Sequence, residues 1–476
     1  MLFNSFEFLV FFPIVCLVYF ALGKNKYRNP FLLIASYYFY MNWNPVYALL
    51  ILTSTVLTYF CGLLVAANFN RIKRKKLFLT LSLVINFSIL FVFKYYNFIN
   101  ESIWDIMSIL GLRWNVPNID LLLPVGISFY TFQAVGYTID VYRGTIKAER
   151  EFGTYALFVS FFPQLVAGPI ERAKNLLPQF HREHSFKYEN LVPGFKLMLW
   201  GFFMKLCVAD RLGEYVDAVY NNVDAHNGSS LLIATILFTF QIYCDFGGYS
   251  NIAIGVAKIL DYDLMVNFRR PYFSESVKDF WRRWHISLSS WFSDYVYIPL
   301  GGSRVRYVRH LFNLLVTFLV SGIWHGANWT FVMWGALHGC FLIIHNVFKR
   351  ITSAYPPLQY LCHTYSSRII RVMSCFVCIA LGWVFFRANN VSDVFTIFSK
   401  IFTDHQMPFI APMALGYGSL SLLILFVKDF ADEYFPQITC LNSSNKIISI
   451  LATACLTIYI ILFGAIDNSQ FIYFQF

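Results

Sequence analysis

Charge is scarce in this sequence. Of 476 residues, 26 are Asp or Glu and 37 are Lys or Arg, 13% altogether, and none of the four occurs between Ser321 and Gly339. Soluble domains carry about 25% charged residues, and no soluble core absorbs a chain that is 58% hydrophobic. The scarcity excludes a soluble globular protein and leaves a polytopic membrane protein, because long apolar runs recur along the whole length. Metal-type cysteine spacing is missing too. Ten cysteines are scattered through apolar runs, and the one CxxC, Cys375–Cys378, has no second pair at zinc spacing. They read as small apolar packing residues, so neither a metal site nor a disulfide is expected. The N-terminus has no basic n-region and no small-residue cleavage site. It carries Glu7 instead, so MLFNSFEFLVFFPIVCLVYFAL reads as a retained first span. No internal repeat and no long linker is visible, and a single integral-membrane domain over 1–476 is expected.

What the chain has in plenty is aromatic rings and short basic loops. Phe (52) and Tyr (30) suit lipid-facing surfaces and interfacial belts. The net charge of +11 lies in short loops such as Arg71–Lys76, RIKRKK, which speaks for positive-inside topology and against a nucleic-acid partner. With the N-terminus outside, spans over Phe8–Leu22, the short aromatic Phe31–Trp43 and Val46–Ala67 put both early basic loops inside. Leu77–Tyr96, Leu121–Val141, Leu191–Val208, Leu231–Tyr243, Leu311–Ile344, Ile369–Phe386, Gly416–Val427 and Ile447–Phe463 complete the apolar set. Tyr155–Val166 is too short to cross and reads as re-entrant or interfacial. The expected architecture is all-α, with roughly 10–12 membrane segments counted on this basis. The basic middle, Asp261–Arg309, is expected on the cytoplasmic side, with Trp281, Trp284 and Trp291 in the headgroup zone.

Ser321–Gly339, SGIWHGANWTFVMWGALHG, places His325 and His338 among Trp324, Trp329 and Trp334. Imidazole can be neutral in an apolar setting and still exchange a proton near neutral pH. The plain alternative is a core histidine held between aromatics. Other polar groups interrupt the apolar background: Gln133 in PVGISFYTFQAVGYTIDVY, Asp245 in QIYCDFGGYSN, and His285 in DFWRRWHISLSSWFSDYVYIPLGGSR. Such groups are costly at membrane depth and are candidate functional sites for that reason. For Asp245 the alternative is a cap or a partner for a nearby Arg at a helix end, which Gly247–Gly248 favours by suggesting a turn.

WHGANWTFVMWGALHG, WRRWHISLSSWFSDYVYIPLGGSR, PVGISFYTFQAVGYTIDVYRG, FFPQLVAGPIER, YCDFGGYSNIAIG and GWVFFRANN together resemble the membrane-bound O-acyltransferase superfamily. The likeness is to its bacterial branch of alginate and peptidoglycan acetyltransferases and teichoic-acid D-alanyl transferases. It runs from MLFNSFEFLVFFP to FIYFQF. The resemblance implies that His325 of the WHG motif is catalytic and that His285 supports it, with His338, Trp324, Asn328, Asp245 and Gln133 in lesser roles. On an unbroken helix His338 would stand about 140° from the face of His325 and would not share its proton.

The chemistry implied is transfer of an acyl group to a hydroxyl, with a neutral imidazole as general base or acyl relay and His285 or a backbone donor at the oxyanion. By the same resemblance the donor is cytosolic, acetyl-CoA being the expected substrate, and no bound cofactor or metal is expected. The acceptor is an extracytoplasmic polysaccharide such as alginate or peptidoglycan. The protein sits in the bacterial inner membrane among its lipids, with an extracytoplasmic acetyltransferase partner. Funnels from the two faces would meet at His325, with Asn267–Arg309 docking the donor. D-alanyl transfer to teichoic acid, a transporter without transferase chemistry, and a scaffold of a secretion complex are the competing readings.

Overall fold

A computed structural model describes residues 1–166, 168–354, 365–438, 440–465 and 471–472, and the side chains of all of these but 365 and 366. Ala167 of the AGPIER stretch and residues 473–476 of the C-terminal FIYFQF lie outside the described residues. All regular structure among the described residues is helical. Nine helices among them are long and apolar enough to cross a membrane, as a chain with no water to satisfy its backbone requires. The protein is an all-α, multi-pass membrane protein. Its helices form two compact units, residues 1–198 with 253–265, and residues 199–252 with 266–476.

The first unit holds α1 (Phe6–Ala21), α2 (Asn25–Met41), α3 (Tyr47–Ala67), α4 (Ile72–Ile109, with a π-turn at Phe91–Tyr95), α5 (Ile127–Arg143), α6 (Phe152–Ser160) and α7 (Ala173–Phe180). It also takes the start of α8 (Tyr188–Tyr220) and the end of α9 (Gly228–Ile259). Lipid tails are as apolar as Leu, so helices here associate through close packing and interhelical hydrogen bonds. Ser54 of α3 donates to Asn86 of α4 at 2.6 Å, and Tyr155 of α6 donates to Thr58 of α3 at 2.7 Å. The expected span over Leu121–Val141 is corrected here. The helix begins only at Ile127, after Gly126 at φ +74°, where a side chain would meet the Leu165 carbonyl oxygen at 2.8 Å. It is buried along almost its whole length, so its row of hydroxyls lines protein rather than lipid.

The second unit holds the rest of α8 and α9, α10 (Val277–Arg283), α11 (Ile286–Phe292), α12 (Tyr307–His325), α13 (Trp329–Ala354), α14 (Tyr365–Arg387), α15 (Val391–Thr403), α16 (Pro412–Tyr434) and α17 (Lys446–Phe463). Two expectations change. Gly247–Gly248 is not a turn: α9 runs through it, and the glycines serve contact instead, since a Cβ on Gly248 would stand 2.8 Å from the Gly201 carbonyl oxygen of α8. The tryptophans of the basic middle do not form a headgroup belt. Trp284 and Trp291 are buried, and Trp281 packs edge-on against Trp334 at 5.6 Å between ring centroids. Hydropathy and charge along the chain place them at an interface, but α10 folds onto α13 and α14, where Trp281 meets Trp334 and Trp284 meets Trp383, and Trp291 is buried beside Phe292 and Tyr295.

Candidate active site

The WHG motif lies at a break between two helices. α12 ends at His325, Gly326 is extended, and α13 starts at Trp329. Asn328 makes the turn: its side-chain oxygen accepts from Thr330 N at 3.0 Å and its amide donates to the Asn389 carbonyl at 3.0 Å. α12 and α13 then pack closely along a row of small residues. A Cβ on Gly322 would collide with the Phe331 carbonyl, and one on Gly335 with the Phe318 carbonyl. The spacing of glycines in SGIWHGANWTFVMWGALHG thus encodes a helical hairpin. The premise of one unbroken helix through His325 and His338 is overturned, and with it the argument that the two are kept apart.

His325 is 4% exposed. Its ring meets Trp324 at 5.0 Å, Trp334 at 4.9 Å and Phe386 at 5.3 Å, each edge to face. Trp334 also meets His338 at 4.8 Å. Trp324 meets His285 at 6.3 Å. The three histidines therefore form one chain with tryptophans between them, in the order His285, Trp324, His325, Trp334, His338. His338 is fully buried among Trp281, Trp334 and Phe341, and neither of its ring nitrogens has a hydrogen-bond partner among the described residues. α14 closes the cage: Trp383 stacks on Trp334 at 6.2 Å, and a Cβ on Gly382 would stand 2.5 Å from His338 Nε2.

His285 occupies the link between α10 and α11 at φ +41°, a left-handed conformation that costs a non-glycine residue about 1–3 kcal/mol and persists where its surroundings over-determine it. Asn267 supplies that constraint. Its main-chain oxygen accepts from Ile286 N at 3.0 Å. Its side-chain oxygen accepts from Ser287 N at 3.2 Å and Ser287 Oγ at 2.9 Å, and lies 3.1 Å from His285 Nδ1. Its amide donates to Ser250 Oγ of α9 at 3.1 Å. With an acceptor facing it, Nδ1 carries the ring proton and Nε2 the lone pair. Burial pushes the His285 pKa down to about 3, so the ring is neutral. A neutral ring in this tautomer is an acceptor at Nε2. That argues against the expectation that His285 donates to an oxyanion.

Of the other expected residues, Trp324 joins the cage and Asn328 forms the turn, while Asp245 and Gln133 act elsewhere. Asp245 accepts from Lys205 Nζ at 2.6 Å and from Ile472 N at 2.7 Å. Lys205, on the π-turn Phe203–Ala209 of α8, is also paired with Asp210 at 2.7 Å. The partner of Asp245 is thus a buried lysine in mid-helix, not an arginine at a helix end. Gln133 belongs to the first unit, where its amide donates to the Phe158 carbonyl at 2.6 Å. Sequence reasoning missed Asn267 and Lys205. Asn267 carried no signal, being one amide in a polar loop. Lys205 did, as a lone charge in the apolar run GFFMKLCVA.

All of these candidate residues but Gln133 fall within the part of the chain, residues 146–386, that matches the family model "MBOAT, membrane-bound O-acyltransferase family". The chain is 39% identical to the "Probable alginate O-acetylase AlgI" of Azotobacter vinelandii over 404 residues, 85% of this chain and 78% of that one. It is 34% identical to the peptidoglycan O-acetyltransferase of Helicobacter pylori over 431 residues, 83% of this chain and 79% of that one. A teichoic acid D-alanyltransferase of Streptococcus thermophilus is 30% identical over 243 residues, 48% of this chain and 58% of that one. The chain belongs to the membrane-bound O-acyltransferase family and is an acyltransferase.

Proposed function

We propose that the protein moves an acetyl group from a cytosolic thioester donor, acetyl-CoA being the expected one, to hydroxyls of an extracytoplasmic polysaccharide, with His325 as general base. The observation that carries this is the setting of His325: an imidazole at a helix break, in a cage of aromatic rings. The acceptor oxygen attacks the thioester carbonyl while its proton passes to His325. The carbon–sulfur bond breaks, and the proton goes on to the departing sulfur, which leaves as a free thiol. Such base catalysis contributes about 10²–10⁴-fold. His285, held neutral with its lone pair at Nε2, orients a substrate hydroxyl by accepting its hydrogen bond. Trp324 and Trp334 hold the rings at fixed spacing, and His338 supports His325 through Trp334. Asn328 fixes the turn. Asp245 and Gln133 support the scaffold.

The relatives named for alginate and peptidoglycan acetylation, each matched over more than four fifths of this chain, support acetyl as the acyl group and a polysaccharide as the acceptor. The D-alanyl reading draws on a match to less than half of the chain. On the acetyl reading the protein lies in a bacterial inner membrane and hands acetyl groups to an extracytoplasmic acetyltransferase partner or directly to polymer.

The test is ester-linked acetate on surface polysaccharide, measured in cells with the wild-type protein, with His325→Ala and with no protein, at equal membrane levels by immunoblot. Acetate at the background level in the variant supports the reading. Acetate unchanged in all three refutes it, and D-alanine esters are then the next product to assay.

A further inference from the structure

A groove of about 410 Å³ runs between α9, α14 and α16 in the second unit, away from the histidine chain. Its lining follows the helix axes. On α14 it passes Arg368, Val372 and Phe376; on α16 it passes Tyr434, Phe430 and Phe426. Each series steps by one turn, so the groove is about 12 Å long at 1.5 Å per residue. One end is polar, where Arg368 lies over the Tyr434 ring at 5.0 Å. The rest is almost wholly apolar. Its mouth carries exposed Ile369, Met373 and Phe426, side chains that in a multi-pass protein face lipid.

The charge at the polar end is unbalanced. Arg368 and Arg371 share a single carboxylate, Glu275, at 2.7 and 2.8 Å. The pattern repeats one residue before Tyr434, where Glu433 is shared by Arg270 at 2.7 Å and Arg283 at 2.9 Å. Asp429, the carboxylate that the groove touches deeper down, accepts the Tyr243 hydroxyl at 3.0 Å. Arg283 also pairs with Asp279 at 3.1 Å, so four guanidiniums face three carboxylates, and the surplus of one positive charge lies with Arg368 and Arg371, which have Glu275 alone between them, at one end of an apolar channel parallel to the spans. Guanidinium matches phosphate in a two-pronged geometry, and basic pockets between transmembrane helices are sites for anionic head groups.

We propose that this groove is a binding site for an anionic phospholipid, one acyl chain lying along α14 and α16 and the phosphate held at Arg368 and Arg371. The inference does not depend on the acyl group transferred or on the identity of the polymer.

The test uses the full chain, purified and delipidated in detergent, then offered an equimolar mixture of phosphatidylglycerol and phosphatidylethanolamine with the same acyl chains. Native mass spectrometry counts the lipids retained. The expected preference for phosphatidylglycerol is about fivefold in the wild type. It falls to near unity in Arg368→Gln and survives in Arg368→Lys. Met373→Trp, which fills the mouth, lowers retention of both lipids. Equal retention of the two lipids by the wild type overturns the proposal without any variant. So does a preference undiminished in Arg368→Gln, or retention undiminished in Met373→Trp.

Discussion

Lys205 stands in an apolar run of α8, is 1% exposed, and lies 2.7 Å from Asp210 and 2.6 Å from Asp245. Replacing it by Met keeps the length of the side chain and removes the charge. Two carboxylates are then left buried with no cation between them. Breaking a buried ionic group by removing one partner costs about 3–5 kcal/mol, because the partner that remains is uncompensated. Against a native stability of about 5–15 kcal/mol, such a loss is a large part of the whole. The cost lies in the carboxylates, so neutralising them should remove it. Lys205→Met combined with Asp210→Asn and Asp245→Asn is expected within about 1 kcal/mol of the wild type, since replacing a whole buried ionic cluster by neutral side chains is often close to neutral. The measurement is unfolding of the purified protein by SDS titration in mixed micelles, followed by tryptophan fluorescence. A single variant within about 1 kcal/mol of the wild type, or a triple variant no more stable than the single, would refute the reasoning.

Three further outcomes are expected. Asn267→Ala removes the acceptor shared by Ser287 and His285, so it should cost about 1–3 kcal/mol of stability and lower acetyl transfer more than it lowers membrane level; equal falls in the two would mean that Asn267 only supports folding. His338→Leu removes a buried ring with no hydrogen-bond partner among the described residues, so the thermal midpoint should rise while acetate on polymer falls, and unchanged acetate would remove His338 from the site. His285 is held near a pKa of 3 by burial, against about 6.5 in the unfolded chain, so the unfolded state binds a proton first as pH falls. Its contribution to stability is intact above about pH 6.5 and is lost toward pH 3. His285→Gln should therefore show a shallower fall in thermal midpoint between pH 6.5 and 4.5, and an identical slope would show that His285 is not buried neutral.

The scarcity of charge was enough to read the class of the protein, because a backbone in lipid can satisfy itself only as helix or closed barrel and the apolar runs have helical length. His325 stands out in the sequence as a histidine in an apolar stretch within a family motif, and its role is the one proposed above. The failures have a common cause. Hydropathy averages along the chain, and a residue buried in protein is as apolar as one facing lipid. For that reason Leu121–Val141 resembles a full span, where the buried, hydroxyl-rich helix begins only at Ile127, and Trp284 and Trp291 resemble headgroup residues although both are buried. Gly247–Gly248 was read as a turn because two glycines mark either a bend or a close approach of two helices, and only the neighbouring Gly201 distinguishes them.

The sequence by itself therefore determined what depends on composition and local pattern: a multi-pass helical protein, a histidine-bearing apolar motif, and the family to which that motif belongs. The tertiary structure alone decided what depends on which helix meets which. It set the order of three histidines with Trp324 and Trp334 between them, the hold of Asn267 on His285, the pairing of Lys205 with two aspartates, and the groove with arginines at one end. Apart from Trp324–His325, Trp334–His338 and Lys205–Asp210, each within one helix, these contacts join residues on different elements of the fold. No periodicity along one segment encodes them, because the energy that selects them comes from close packing and hydrogen bonds between segments.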